Sequence, residues 1–533
     1  MALAEHSARP TRAGLSLREP RSPIYGSRAM IVSGHAAASA AGIAIHRRGG
    51  NAVDAMIAAS ATLAVVLGHA TSIGGDCFLL YHDAKTGRIL GLNSSGVAPR
   101  AATAERFAGG MKAQGPLAPV VPGLVKGWEV LHRRFGSLPW KELFEEAIRR
   151  AEGHVISAVL AARIDESRAA LAADPGCAAL YLPGGKPVAA GETLRQPELA
   201  QCLRRIAERG AEGFYFGETA RSIASYMAER GGLLTEADLQ SFEPLWVEPA
   251  STDYRNPRVN VMPPNSYGGL LLMQLNGLKA LERDALIADP ARRIGYQMNA
   301  MKAAFEWGVP LIADPAAAPD SAMKMLAPDM TERLQQAVLG HAPARVPPDR
   351  AGTSCLLVAD AEGNAICMVQ SVFSVFGSAF RDPGTGILFN NRMSGFTHKP
   401  GGINTVAPGK RPAHTLCPVM VQRDGKLRYV LASPGGLSQT VTNTQVLGRL
   451  IDEGVDVAAA VEAPRWCNTA GGEFLLEPEL PEAFVPVLAE MGHKAKRAQD
   501  AFFFGSAKAI EILQSGNFAG AADHRREAFA LGY

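Results

Sequence analysis

Thr353 stands directly after a Pro-, Ala-, Gly- and Arg-rich stretch, 340–352, and opens the apolar run Thr353-Ser354-Cys355-Leu356-Leu357-Val358-Ala359-Asp360. A hydroxyl is a poor nucleophile without a base beside it, and a free amine on the same residue can be that base. An α-amino group titrates near ~7.7–8.0, so part of it is neutral at working pH. If the Thr353 hydroxyl attacks the carbonyl of Gly352, the chain is cut there and Thr353 gains that amine. Glycine at 352 permits the strained backbone such an attack needs. Taken alone, a threonine opening a strand is an ordinary β-branched strand residue. A second piece is Ser433-Pro434-Gly435-Gly436, after the apolar run 429–432. Consecutive glycines can turn their N–H groups toward a developing oxyanion, although the same four residues also make a common turn.

The surrounding elements must hold these pieces. The spacing predicts a strand over 29–33, then alanine-rich helices over 35–46 and 52–67 separated by the turn 48–51. A buried strand follows over 77–82 with a turn at 83–87. Segments 140–153 and 197–209 have the apolar period of amphipathic helices. Thr235-Glu236-Ala237-Asp238 reads as a capped helix start, and 263–269 as a Pro/Gly-rich loop running into a helix over 270–281. Runs 353–360 and 365–371 flank Ala361-Glu362-Gly363-Asn364, a hairpin signal.

Composition bounds the function classes. The chain has 533 residues, 47% hydrophobic and 20% charged, with a formal net charge of +3. That is enough apolar content for a large core and too little positive charge for a nucleic-acid surface. Seven cysteines with no C-x-x-C pair argue against a disulfide framework or structural zinc. The first 28 residues read as an arm without the apolar core of a secretory signal. The most apolar segment, 55–67, is shorter than the roughly 20 residues a bilayer span takes. A cytoplasmic location is expected, with a small-molecule substrate and neither nucleic-acid nor membrane partners. There is no G-x-G-x-x-G after a strand, no P-loop, no G-x-S-x-G and no H-E-x-x-H.

The order of these pieces resembles the gamma-glutamyltransferase family of N-terminal-nucleophile hydrolases. The resemblance runs from about Ala29 to Tyr533. It is carried by Gly49-Gly50-Asn51-Ala52-Val53-Asp54-Ala55, Gly74-Gly75-Asp76, Val121-Pro122-Gly123 and Leu234-Thr235-Glu236-Ala237-Asp238-Leu239. Pro263-Pro264-Asn265-Ser266-Tyr267-Gly268-Gly269, Thr353 with Asp360 and Gly363-Asn364-Ala365, and Asn390-Asn391 continue it. Ser433-Pro434-Gly435-Gly436 and Ala463-Pro464-Arg465 complete the series. It implies an α+β fold, the four-layer αββα sandwich, made as one precursor and cut between Gly352 and Thr353. A large subunit, 29–352, and a small subunit, 353–533, would result, with further homo-oligomerisation left open. Thr353 would be nucleophile and base, Ser371 its support where the family usually has Thr, and Gly435 and Gly436 the oxyanion hole. Ser354 stands where the family usually has a second Thr close to the nucleophile. No metal or organic cofactor is implied.

The glutamyl-gripping positions depart from the family. Ser95 occupies the place of its carboxylate-binding Arg, Gly395 that of its ammonium-binding acid, and Arg392 that of a glutamine. Phe373 replaces an asparagine, and His414-Thr415 replace paired serines. The pocket is therefore expected to lose a carboxylate and gain a guanidinium and an imidazole. Arginine suits carboxylate recognition, so an acidic acyl amide of oxamate or glutaryl type is expected, lacking the α-amino group or with that group unrecognised. Segment 396–411 is shorter than the family's usual lid, predicting a more open site that favours water over transfer. A true gamma-glutamyltransferase or glutathione hydrolase is the alternative. A catalytically silent binding protein on the same fold is a third reading.

Overall fold

In the computed structural model, residues 21–340, 352–469, 472–498 and 504–533 are described. The linker expected over 340–352 lies, apart from its two ends, outside them, as does most of the N-terminal arm. Its end is not an arm: Ile24–Gly26 is an edge strand paired antiparallel with Phe518–Ala522.

The chain mixes helices with two seven-stranded antiparallel sheets. Sheet I runs, in spatial order, Phe529–Gly532, Ala29–Ser33, Gly352–Asp360, Ala365–Phe373, Asp76–Asp83, Arg88–Ser94 and Leu245–Val247. Sheet II runs Ile24–Gly26, Phe518–Ala522, Lys508–Ile512, Lys426–Ala432, Val419–Arg423, Arg258–Val261 and Ala250–Asp253. The expected hairpin 353–360/365–371 is central in sheet I, with Leu357 opposite Cys367.

Side chains alternate between the two faces of a strand, and here each face has its own core. Phe78, Leu80, Cys355, Leu357, Cys367 and Val369 of sheet I meet Met420, Val430, Ile510 and Phe518 of sheet II in one buried cluster. The opposite parity of sheet I, Leu79, Leu356, Val358, Ile366 and Met368, packs on the helix Ala52–Val66 and its neighbours. Sheet II's outer parity, Val259, Val421, Leu431 and Ala509, packs with Leu271, Leu275, Val446 and Val457 from helices. Because both faces of the central strands are buried, they read as nearly continuous apolar runs.

The expected helices 35–46 and 52–67 appear as Ala36–Arg47 and Ala52–Val66. The second starts in a capping box: the Asn51 side chain accepts from Val53 and Asp54 N–H, and Asp54 reaches back to Asn51 N. The Asp360 carboxylate also accepts from Ala52 N at 3.0 Å and Asn364 N at 2.8 Å. One acid thus joins the hairpin turn to the helix start, where negative charge is favoured. Segment 140–153 divides into the 3-10 turn Trp140–Phe144 and the helix Glu145–Glu152, a common entry to a helix. The helix expected from 270 begins earlier, at Gly268. A Cβ at Gly268 would lie 2.5 Å from Met262 O, so the glycine there serves close packing.

Candidate active site

Thr353 begins one central strand of sheet I and Ser371 lies near the end of its partner. Both share the parity of Cys355 and Val369 and so project into the space between the sheets. Their hydroxyls are 3.2 Å apart, and the Ser371 hydroxyl accepts from Phe373 N at 2.7 Å. Thr353 is 3% exposed and Ser371 fully buried. In the continuous chain the threonine is thus covered.

The Ser433–Gly436 turn is brought alongside from sheet II. Cys355 Sγ lies 3.5 Å from Ala432 O, tying the strand of Thr353 to the residue preceding Ser433. Gly435 and Gly436 have φ of +137° and +53°, a region that favours glycine. They precede the helix Ser438–Gly448. Their carbonyls accept from Ser438 and Gln439 N–H, while neither glycine's own N–H has a backbone partner among the described residues. Free N–H groups at a helix start form an anion-receptive surface.

On the other flank, Asp76 is the register partner of Ser371. The approach needs glycines: a Cβ at Gly75 would meet Ser371 O at 2.4 Å, and one at Gly74 would meet Leu388 O at 2.3 Å. The Asn390 amide donates to Gly74 O at 2.9 Å and Val120 O at 3.1 Å, and Asn391 N donates to Val372 O at 3.1 Å. These bonds seat Arg392 against the strand end. Arg392 Nε donates to Asp76 at 3.1 Å and Nη2 at 3.3 Å, its guanidinium lies 4.6 Å from the Phe373 ring centre, and it is 1% exposed. His414, bridged to Ser266, donates from Nε2 to Asp76 Oδ2 at 2.7 Å and packs edge-to-face on Phe78.

The guanidinium expected at Arg392 is not left without an acid: Asp76 pairs with it and neutralises it. Burial pushes the Asp76 carboxyl up, but Arg392 and His414 together outweigh it and hold it below the usual range. Burial first, then the Arg392 charge, lower His414 to about 4 against the pull of Asp76, leaving it neutral at pH 7. What remains of the guanidinium is Nη1, a buried donor without a partner, and the nearby chain adds the buried, unpartnered Thr415 hydroxyl.

Two other expected contacts are corrected. Ser354 has the opposite parity to Thr353. Its hydroxyl lies where a Cβ on Gly34 would be, 2.2 Å away in that reckoning, so it faces the helices. The Ser95 hydroxyl is occupied, donating to Asn93 at 2.7 Å and accepting from Asn265 at 3.2 Å. Phe373 does sit at the site, with a left-handed φ of +81°, a conformation that concentrates at functional sites. Among the described residues no cluster of His, Cys, Asp or Glu could hold a metal, and no helix is long and apolar enough to cross a membrane. The seven cysteines are buried free thiols.

The His414 shift has a stability consequence. Its folded value lies below the unfolded ~6.5, so between about 4 and 6.5 the unfolded chain binds the extra proton. Stability should fall as pH drops through that window, by up to about 3 kcal/mol for this group. Thermal melts at pH 7 and 5 check the sign; equal stability for His414→Gln and the parent across that window would contradict it.

Residues 38–533 match the model of the gamma-glutamyltranspeptidase family. The chain belongs to that family. Within it, the chain is 33% identical over 522 residues to the Glutathione hydrolase-like YwrD proenzyme of Bacillus subtilis, covering 96% of this chain and 99% of that relative. It is 34% identical over 537 residues to the Acylase ACY 1 proenzyme of Pseudomonas sp. strain V22, covering 95% and 94%. The cephalosporin acylase from Bacillus halodurans superposes with a TM-score of 0.89 at 30% identity, over 100% of this chain and 99% of that one. Gamma-glutamyltranspeptidase relatives thus match nearly end to end, across both sides of the Gly352–Thr353 bond.

Proposed function

We propose that this chain is an autoprocessing amidohydrolase that uses Thr353, freed by cleavage after Gly352, as its nucleophile. The observation that carries the reading is the placement of the Thr353 and Ser371 hydroxyls 3.2 Å apart between the sheets, on a strand tied to the one leading into the Gly435–Gly436 turn. The proenzyme names of its relatives support self-cleavage, and the cephalosporin acylase likeness supports amide hydrolysis. The layered cores support a four-layer αββα sandwich shared by subunits 29–352 and 353–533. We place the enzyme in the cytoplasm, acting on a small molecule without metal or organic cofactor.

In processing, Thr353 Oγ attacks the Gly352 carbonyl carbon, the Gly352–Thr353 C–N bond breaks, and an ester forms. Water hydrolyses the ester, leaving a carboxyl on Gly352 and an amine on Thr353. In turnover that amine takes the Oγ proton as Oγ attacks the substrate carbonyl. The proton passes to the leaving amine, and water releases the acid from the acyl-enzyme. Gly435 and Gly436 N–H groups receive the oxyanion, and Ser371 holds the Thr353 hydroxyl.

Arg392 Nη1 and Thr415 Oγ1 supply hydrogen bonds for the far end of an acyl group, with Phe373 beside them. Asp76 is committed to Arg392 and His414, so an α-ammonium finds no free acid. An acidic acyl amide of oxamate or glutaryl type fits this end better than a γ-glutamyl group. Glutaryl- and γ-glutamyl-p-nitroanilide differ only in that ammonium. The glutaryl compound should have the higher kcat/KM by about 10²-fold or more, since an unpaired buried charge costs several kcal/mol. The opposite ratio would support the glutathione hydrolase reading instead.

Gly435→Ala tests the oxyanion site. Its φ of +137° suits glycine, so alanine displaces the turn and its N–H groups. The expected loss in kcat is about 10²–10³-fold, read on the same amide. An unchanged kcat would remove the turn from the mechanism.

A further inference from the structure

Lys508 is a buried cation that the mechanism above does not use. It opens the strand Lys508–Ile512, pairs with Ala432 and Ala522, and shares the parity of Ile510, so it points between the sheets. It is 1% exposed and has no carboxylate partner among the described residues. Its Nζ donates to Ser506 O at 3.1 Å, and the carbonyl of its strand partner Ala432 lies 3.5 Å from Sγ of Cys355, two residues along the strand from Thr353. The same loop backs the oxyanion turn. Gly505, with φ of +81°, lies where a Cβ would be 3.0 Å from Pro434 O, and Arg465 Nη1 holds Phe504 O at 3.0 Å.

Several other charged groups flank Lys508 and the Thr353 strand. Asp523, next to the Lys508 partner Ala522, accepts from Ala507 N at 3.0 Å and is neutralised by Arg465 and Arg525. Asp76, Arg392 and His414 form one mutually paired group on the far side of Ser371. His69, in the turn after the helix Ala52–Val66, is held neutral by burial. Arg526, beyond the strand Phe518–Ala522, also acts on the Cys355 thiol. Lys508 both faces the space into which Thr353 projects and holds the loop behind the Gly435–Gly436 turn.

We propose that Lys508 is a positioning residue whose ammonium sets the field in which the Thr353 amine acts as base, and braces the oxyanion turn from behind. The proposal rests on the reading of Thr353 as an N-terminal nucleophile. A nearby cation disfavours the protonated amine, so losing it must raise the amine's pKa. In the processed enzyme, Lys508→Met should move the acid limb of the kcat/KM profile up by about one pH unit and lower kcat about tenfold. Lys508→Arg should restore both. A structural role alone would leave the limb in place.

The amine itself can be read without turnover, by pH-dependent acetylation of the Thr353-initiated subunit followed by mass analysis. A shift of the labelling midpoint in Lys508→Met, absent in Lys508→Arg, is the expected result. If Lys508→Met yields no soluble protein, Lys508→Gln is read in its place. An unshifted midpoint in a folded, cleaved variant overturns the proposal while leaving Thr353 as nucleophile. Absence of any Thr353-initiated subunit in the parent protein overturns both.

Discussion

Replacing Thr353 with alanine should leave one uncut 533-residue chain and lower amide turnover by about 10⁴-fold or more. Alanine keeps the backbone amide and the strand, and removes only the hydroxyl and methyl of a residue that is 3% exposed. Without Oγ the Gly352 carbonyl has no attacking atom, so the α-amine is never released and nucleophile and base vanish together. The two effects are measured separately, by denaturing gel and by glutaryl-p-nitroanilide hydrolysis. Thr353→Ser, which keeps the oxygen, should still cleave, more slowly. Cutting at the same bond in the alanine variant would contradict self-cleavage by this residue.

The second large effect concerns Asp76. Removing its carboxylate by Asp76→Ala leaves the Arg392 guanidinium 1% exposed and unpaired. Breaking one side of a buried pair costs about 3–5 kcal/mol, whereas replacing both sides by apolar groups costs far less. Asp76→Ala should therefore lower the urea midpoint sharply, and Asp76→Ala with Arg392→Met should recover much of it. The Thr353→Ala chain is the right background, because one covalent chain then unfolds. Asp76→Ala alone should also impair the acyl end of the site, since Arg392 loses what aims Nη1. A double variant no more stable than the single one would show that the pair is not coupled as the geometry requires.

These two residues also mark what the sequence could and could not reveal. The role expected of Thr353 came only from the ordered series of motifs around it, but the hairpin it opens was legible because its signal is local: a change from Pro-rich to apolar chain and a Gly-Asn turn. The same holds for the helix start at Asn51 and the turn after Ala432, where caps and glycines act within a few residues. Asp76 was visible only as part of Gly74-Gly75-Asp76. Its partners lie 316 and 338 residues away, and no local pattern announces a pairing that the sheet register creates. Arg392 could be read as a guanidinium of the pocket, but the acid that commits half of it could not be read.

Ser354 is a different case. Adjacent strand residues point to opposite faces, so it and Thr353 could not both line one pocket. Both faces are buried, which removes the usual alternation of apolar and polar residues. Lys508 gave no signal, because a lone lysine at a strand start is ordinarily a solvated edge charge.

The most direct test of the account is the covalent state of the mature protein. Purified parent protein, incubated at neutral pH, should resolve by intact mass into two pieces. N-terminal sequencing of the smaller should read Thr353-Ser354-Cys355-Leu356. A chain that hydrolyses amides while remaining uncut, or one cut to begin at any other residue, would contradict it.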